Sequence, residues 1–469
     1  MNTRSLEWVH AALSADGLLR SSWTGAESQR AWRGAVIDSR AECSGRLFFA
    51  LPGENSDGHK HVGDAFRFGC SAVVIERESM AQSLEAEGVF HFVVRDIRRA
   101  LLELARRYCA CLESRVVVIT GSGGKTTTKE YLRAILRRRY RVHSNPGNYN
   151  NTIGVPLTVL DTEEDAEYLI CEVGANQQGE VKLLSELLRP DVGVITNIGD
   201  AHVGLFGSRD EIATAKAEML PFISRSGHVV LPHDDDYYAQ LRDQAIGRVV
   251  TFGRNSGADY EVGPVETSEE LGVRFSVNGH PFSLAALGDY NALNAGAAVA
   301  AGGICGIGEA LASRALAEVH ATAGRGRIHR CAGVVVIDES YNASPFGVVQ
   351  SLTMLDRLSG GRRIAVLGDM KELGDESEEQ HRRVGRHLAG TGIGVVYWMG
   401  EDASLVEAGI KAGGAGKDHP QFMNVNDIDK LVDVVARASA TGDVILVKGA
   451  RACQLDLFVT ALCQRLGKE

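Results

Sequence analysis

The stretch Val116-Val117-Val118-Ile119-Thr120-Gly121-Ser122-Gly123-Gly124-Lys125-Thr126-Thr127-Thr128 decides the fold. Its first five residues form a short, continuous apolar run, the pattern of a parallel strand covered on both faces. A helical pattern follows through Arg139. Strand, glycine-rich turn and helix in that order read as a phosphate-binding loop. Glycines let backbone N–H groups converge on phosphate oxygens, and the helix N-terminus adds partial positive charge. Gly121, Ser122, Gly123, Gly124 and Thr127 are placed to cradle the phosphates of ATP. Lys125 can bridge the β- and γ-phosphates, and Thr126 can ligate Mg²⁺. The first glycine of the usual pattern falls at Ile119, so the loop is a shortened form.

Outward from this loop, β-branched runs alternate with helical stretches. Tyr168–Glu172, Val192–Thr196 and His228–Leu231 are the further strands of a doubly wound sheet. Gly272–Ser276 and Pro281–Leu284, joined through Asn278-Gly279, read as a hairpin. Asn291–Cys305 is Ala-rich and helical. Before the loop, Ala35–Asp38, Leu47–Leu51, Ser71–Ile75 and Phe90–Val94 predict a smaller α/β unit, closed by a helix from Ile97 to about Glu113. After a Gly/Arg connector at Ala321–Arg327, the strands Val334–Asp338, Ile364–Gly368, Val395–Met399 and Val444–Val447 predict a Rossmann-like unit. The expected class is α/β in three domains: 1–113, a central P-loop domain at 114–322, and 323–469. A length of 469 residues suits three domains.

Hydrophobic residues make up 44% of the chain, enough to bury real cores and to exclude disorder by composition. A net charge of −10 argues against a general nucleic-acid binder, which needs a basic footprint. The run Arg137-Arg138-Arg139-Tyr140-Arg141 then reads as a solvated helix end. No apolar run is long enough to span a bilayer, and the opening Met1–Trp8 has no leader-like core. Nine scattered cysteines without a Cys-x-x-Cys pair read as free thiols of a reducing, cytoplasmic compartment.

At the loop, Thr120–Thr126 resembles the T-G-x-x-G-K-T signature of the Mur ligases, the ATP-dependent amide ligases of peptidoglycan synthesis in cell-wall biogenesis. The resemblance runs through Gly147–Pro156, Glu172–Glu180, Asp338–Ala343 and Leu367–Gly374 in the same order. In the amino-terminal block it includes Asp38-Ser39-Arg40, Gly45–Leu51 and Asp57-Gly58-His59. It implies activation of a carboxylate by ATP as an acyl phosphate, followed by attack of an amine. The motifs point to the branch that adds D-alanyl-D-alanine to UDP-N-acetylmuramoyl-tripeptide. A sibling ligase with another amine, and a nucleotide-binding scaffold without chemistry, are the alternatives. A monomer is the simplest expectation.

The resemblance also implies roles. Ser39, Arg40, Asp57 and His59 would hold the UDP portion, and Asn148, Asn150 and Asn151 the sugar–peptide. Glu172 would bind Mg²⁺ with Thr126, and His202 a second Mg²⁺. Lys216 would carry a carbamate, which needs a neutral amine and hence a depressed pKa. Asn294, beside Asn291, would face adenine. Arg327 would reach the γ-phosphate, with Arg325 as the alternative. Asp338 would meet the ATP ribose. Glu339, Tyr341, Asn342 and Lys448, with Arg451 nearby, would meet the incoming dipeptide. Lys125, His202 and Lys216 are thus the expected catalytic set.

Overall fold

The computed structural model describes residues 4–25, 27–53, 56–268, 271–413 and 419–467; Met1–Thr3, the start of the segment inspected for a leader, lie outside them. The amino-terminal sheet is built from β1 (Leu19–Trp23), β2 (Ala35–Val36), β3 (Leu47–Phe49), β4 (Ala72–Ile75) and β5 (His91–Val94). Its order is β1-β5-β4-β3-β2, all parallel except β1 against β5. β3, β4 and β5 are buried along their whole length, which explains their unbroken apolar sequence. β1, Leu-Arg-Ser-Ser-Trp, is a half-exposed edge without that pattern, and the sequence reading missed it. Helices α1 (Leu6–Ala15) and α2 (Ile97–Cys109) pack nearby. The second ends four residues earlier than expected, at Cys109.

The central sheet holds β6 (Arg115–Thr120), β7 (Val142–Ser144), β8 (Tyr168–Glu172), β9 (Val192–Ile195), β10 (His228–Pro232), β11 (Arg248–Gly253) and β12 (Tyr260–Glu261). Its order, β12-β11-β10-β9-β6-β8-β7, is parallel throughout. The chain winds to one side of β6 and then to the other, so the carboxyl ends of β8 and β9 flank the loop after β6. That is where open α/β sheets bind ligands. Helices α3 (Lys125–Leu136), α4 (Gly154–Asp161) and α5 (Arg209–Ala217) connect or cover these strands. A small sheet follows, of β13 (Glu266–Thr267), β14 (Val273–Val277) and β15 (His280–Leu284). Its β14–β15 hairpin turns at Asn278 and Gly279, both with positive φ (50° and 77°), as an Asn-Gly turn requires. Helix α6 (Asp289–Ile304) is rich in Ala and Gly, so it lies close against α3. A Cβ at Gly302 would stand 2.9 Å from Ile135.

The carboxy-terminal sheet comprises β16 (Arg327–Cys331), β17 (Val334–Glu339), β18 (Arg363–Gly368), β19 (Val395–Met399), β20 (Gln421–Asn424) and β21 (Val444–Lys448), in the order β16-β17-β21-β18-β19-β20. Helices α7 (Pro345–Arg357), α8 (Ser377–Ala389) and α9 (Leu455–Leu466) cover it. β16 is a correction. Arg327, read as the last residue of a connector, opens an antiparallel edge strand paired residue by residue with β17, a strand the sequence reading left unassigned. Its polar composition, Arg-Ile-His-Arg-Cys, hides an edge strand from pattern reading.

The amino-terminal unit is fixed to the central one through the end of α4. Arg46 pairs with Asp161 at 2.5 Å, the Ala35 N–H donates to the same carboxylate at 3.0 Å, and Tyr108 donates to the Thr162 carbonyl at 2.9 Å. Central and carboxy-terminal units meet at Asp289, which pairs with Arg254 at 3.3 Å and Arg357 at 3.2 Å. They also meet at Asp200, which accepts from the Phe346 N–H at 3.2 Å and pairs with Arg383 at 3.3 Å. Among the described residues no helix is long and apolar enough to cross a membrane, and all nine cysteines are free.

Candidate active site

The phosphate loop owes its shape to two glycines. Gly121 has φ 140° and Gly124 φ 76°, both in the region that side chains disfavour. Space closes the same positions. A Cβ at Gly121 would lie 2.0 Å from Thr196 Oγ1, and one at Gly124 2.1 Å from Asn294 Oδ1. Thr196 and Asn197, just after β9, pin the loop from outside. Thr196 Oγ1 donates to the Gly123 carbonyl at 2.6 Å, and the Asn197 amide grips Gly123 at both N–H (3.0 Å) and carbonyl (3.1 Å). Ser122 Oγ donates to the Gly199 carbonyl at 3.3 Å. Lys125 Nζ donates to the carbonyl of Gly121 at 2.9 Å. Burial pushes its pKa down; Glu172 opposes this and Arg325 adds to it.

Glu172 ends β8, almost wholly buried beside α3. Its Oε2 accepts from Thr126 Oγ1 at 2.7 Å and its Oε1 from Asn150 Nδ2 at 2.8 Å. A carboxylate and a hydroxyl placed side by side form a hard-oxygen set suited to Mg²⁺.

Across the sheet end stand His202 and Lys216. His202 adopts a left-handed conformation (φ 64°) at the start of the short helix Val203–Phe206. Its Nδ1 meets the Glu372 carboxylate of the carboxy-terminal unit. Burial lowers its pKa, Glu372 works against that, and the charges of Lys125 and Lys216 lower it further. Lys216, on α5, is 2% exposed. Burial, reinforced by Lys125, brings its pKa down to about 7, so much of it is a neutral amine near neutrality.

The chain's relatives fit this geometry. Residues 33–109 match the Mur ligase family catalytic domain, 119–302 the Mur ligase middle domain, and 324–451 the Mur ligase glutamate ligase domain. The UDP-N-acetylmuramoyl-tripeptide--D-alanyl-D-alanine ligase of Bacillus subtilis is 35% identical, over 92% of this chain and 93% of its own length. This chain belongs to the Mur ligase family. MurF of Acinetobacter baumannii superposes with a TM-score of 0.80 at 32% identity, covering 92% of this chain and 93% of that one. MurF of Thermotoga maritima, solved in complex with ADP, superposes with a TM-score of 0.79 at 28% identity, covering 92% and 98%.

In this Mur ligase the residues singled out from sequence divide into open and internally engaged groups. Arg40 projects into solvent and pairs with Asp38 at 2.7 Å, holding that carboxyl down at about 2. Ser39 beside it is buried. His59 is not open to a ligand as expected. It is 4% exposed; its Nδ1 meets Asp57 Oδ1 at 2.8 Å and its Nε2 accepts from the Glu76 N–H at 3.1 Å. Asp57 also caps the turn at His59 and pairs with Arg77. Asn148 is exposed. Asn150 reaches Glu172, whereas Asn151 caps α4 by accepting from the Gly154 N–H at 2.8 Å.

On the carboxy-terminal side, Arg325 is the arginine whose charge reaches Lys125, and it stacks on the Tyr341 ring at 3.9 Å. Arg327 lines a separate cavity of about 420 Å³ with Asp338, Ser340 and Tyr341. Asp338 is engaged at both oxygens, by Ser340 Oγ at 2.6 Å and the Gly324 N–H at 3.0 Å. Glu339 likewise faces inward. It accepts from Tyr290, from Ser351, and from Lys448 Nζ at 3.1 Å, and is 6% exposed. Its expected contact with the dipeptide would break that cluster. Asn342 is exposed. Asn294 abuts the phosphate loop at Gly124, and Asn291 donates to the Leu287 carbonyl at 2.7 Å. Sequence reasoning passed over Thr196, Asn197 and Glu372. The first two follow directly on β9, next to the phosphate-loop strand, and that position was the available signal.

Proposed function

We propose that this protein joins D-alanyl-D-alanine to the terminal carboxylate of UDP-N-acetylmuramoyl-tripeptide in the cytoplasm, converting ATP to ADP and phosphate. The observation that carries this reading is the pairing of the buried Glu172 with Thr126 on the phosphate-loop helix. It occurs in a chain that matches dedicated ligases over nine-tenths of its length.

A carboxylate does not acylate an amine at neutral pH, so it must first take a phosphoryl group. The substrate carboxylate oxygen attacks the γ-phosphorus and ADP leaves. The amine then attacks the acyl carbon, and phosphate departs with that oxygen. Phosphoryl transfer depends mainly on positioning and charge neutralisation. The loop N–H groups from Gly124 to Thr127 and Lys125 hold the phosphates, whereas Asn197 already takes the N–H groups of Ser122 and Gly123, and Arg325 approaches from the other unit. Thr126 and Glu172 fit Mg²⁺, with His202 on the far side; bound there, the metal would neutralise charge on the β- and γ-phosphates. Lys216, with its amine near neutrality, can take up carbon dioxide as a carbamate and present oxygens to the same region. Arg40 and Ser39 at the amino-terminal sheet end and Asn148 in the central loop contact the nucleotide–sugar. Tyr341 and Asn342 line the approach of the dipeptide, while Lys448 is held by Glu339. The chain works as three domains, 1–113 for the nucleotide–sugar, 114–322 for ATP, and 323–469 for the amine, each organised around one large sheet.

The test is phosphate release from ATP with Mg²⁺ and UDP-N-acetylmuramoyl-tripeptide, with and without D-alanyl-D-alanine. The expected result is dipeptide-dependent release and a product heavier by one dipeptide residue pair. Release supported by glutamate or a diamino acid, and not by the dipeptide, would reassign the amine.

A further inference from the structure

Lys129 is the fourth residue after the phosphate-loop lysine, and its side chain is fully buried, with 0% exposure. A lysine so deep needs a reason, because desolvating an ammonium is costly unless it is paired and hydrogen-bonded. Its Nζ pairs with Glu130 at 3.1 Å and donates to the backbone carbonyl of Asn145 at 2.7 Å.

Asn145 is 1% exposed, and its side chain is fully used. Strand β7 stops at Ser144, opposite Ile170. Beyond that point the Asn145 amide takes over the missing ladder. Its Oδ1 accepts from the Glu172 N–H at 2.9 Å, and its Nδ2 donates to the Glu172 carbonyl at 3.0 Å. The same Nδ2 donates to the Tyr149 carbonyl at 2.9 Å. One side chain therefore ties the main chain of Glu172 to the loop that carries Asn148 and Asn150. Asn150 closes the circuit from the other side, through the Glu172 carboxylate.

We infer that Lys129 and Asn145 are positioning residues: Lys129 anchors Asn145, and Asn145 holds the end of β8 so that the Glu172 carboxylate faces Thr126 and the asparagine loop together. The inference rests on Glu172 acting as the metal carboxylate. Partners that orient a metal ligand without touching the metal commonly change metal affinity or activity by about 10- to 100-fold when removed.

Asn145→Asp is the sharpest variant. It keeps the volume and the acceptor for the Glu172 N–H, but turns the donor into an oxygen facing two carbonyls. Lys129→Met removes the anchor with little change of length. Mn²⁺ serves as the probe, titrated into the full chain with ADP and followed by electron paramagnetic resonance, alongside thermal melts and steady-state kinetics. The expected result is an Mn²⁺ half-saturation raised about 10-fold in both variants, with the KM for D-alanyl-D-alanine unchanged. Should Lys129→Met fail to fold, Asn145→Asp decides. A lowered melting temperature with unaltered Mn²⁺ affinity would make both residues merely structural and overturn the inference. Glu172→Gln separates the two levels. If it weakens Mn²⁺ while Asn145→Asp does not, only the positioning role fails. If Glu172→Gln leaves Mn²⁺ binding intact, the metal role of Glu172 fails and the inference with it.

Discussion

Glu172 in the central unit and Glu339 in the carboxy-terminal unit are both buried carboxylates at the ends of parallel strands. They differ in what surrounds them. Glu172 takes its hydrogen bonds from two neutral donors, Thr126 and Asn150, and the Lys125 ammonium acts on it only from a longer range. Glu339 accepts from Tyr290, from Ser351 and from the ammonium of Lys448. Burial would raise its pKa, but Lys448 and the hydroxyls outweigh that, and the net shift is downward. A buried carboxylate hydrogen-bonded only by neutral groups is open to a cation. A buried charge already neutralised is a clamp. Because Tyr290 starts α6 while Lys448 ends β21, Glu339 clamps two units together. Family motifs mark both residues alike, and only their surroundings separate a metal ligand from a structural acid.

The largest effect expected from this contrast is on catalysis. Glu172→Gln should lower kcat/KM about 10³-fold, because a phosphoryl-bound metal supplies several kcal/mol of charge stabilisation, while the variant stays folded. Steady-state kinetics beside a thermal melt reads both. The mirror substitution should do the reverse. Glu339→Gln leaves Lys448 buried without a counter-charge and should cost about 3 kcal/mol of stability in urea unfolding. Equal effects of the two variants on stability would erase the distinction.

A third test concerns the cationic side of the central site. Lys216 has a folded pKa of about 7 against an ordinary 10.5. Between those values the unfolded chain holds a proton that the folded chain lacks. Stability therefore falls as pH falls from 10.5 towards 7, and the cost of this one group is complete, with no further slope, below 7. Lys216→Met should flatten that slope, raise stability near pH 7 by about 2 kcal/mol or more, and abolish turnover. Unfolding curves across pH, in bicarbonate-free buffer, measure it. The smallest effect belongs to Tyr290→Phe. It removes one donor to Glu339, leaves Lys448 in place, and should cost about 1 kcal/mol.

What was legible in the sequence follows from where the information resides. Val116–Thr128 encodes its own structure: apolar run, glycines at positive φ and helix start are local, and the loop formed as read. Buried parallel strands such as Tyr168–Glu172 and Val395–Met399 were legible to the residue, because burial on both faces demands an unbroken apolar run. Edge strands β1 and β16 were not, since an exposed edge carries polar residues. Among site residues, Glu172 is buried against Thr126, and Lys216 is buried with its pKa lowered. His59 and Glu339 matched motifs equally well, yet both turn inward. Whether a polar side chain faces a cleft or another buried group depends on partners far away in sequence, such as Glu76 for His59 and Tyr290 for Glu339. The same holds for Thr196, Asn197 and Asn145, whose roles exist only once β6, β8 and β9 lie side by side.

The central claim is that the groups around Lys125 and Glu172 activate a carboxylate by phosphoryl transfer. The most direct measurement uses UDP-N-acetylmuramoyl-tripeptide labelled with oxygen-18 in its terminal carboxylate, with ATP, Mg²⁺ and D-alanyl-D-alanine, and mass analysis of the released phosphate. Phosphate carrying one labelled oxygen, with the other retained in the new amide, is the predicted result. Unlabelled phosphate from a reaction that still forms the amide would contradict it.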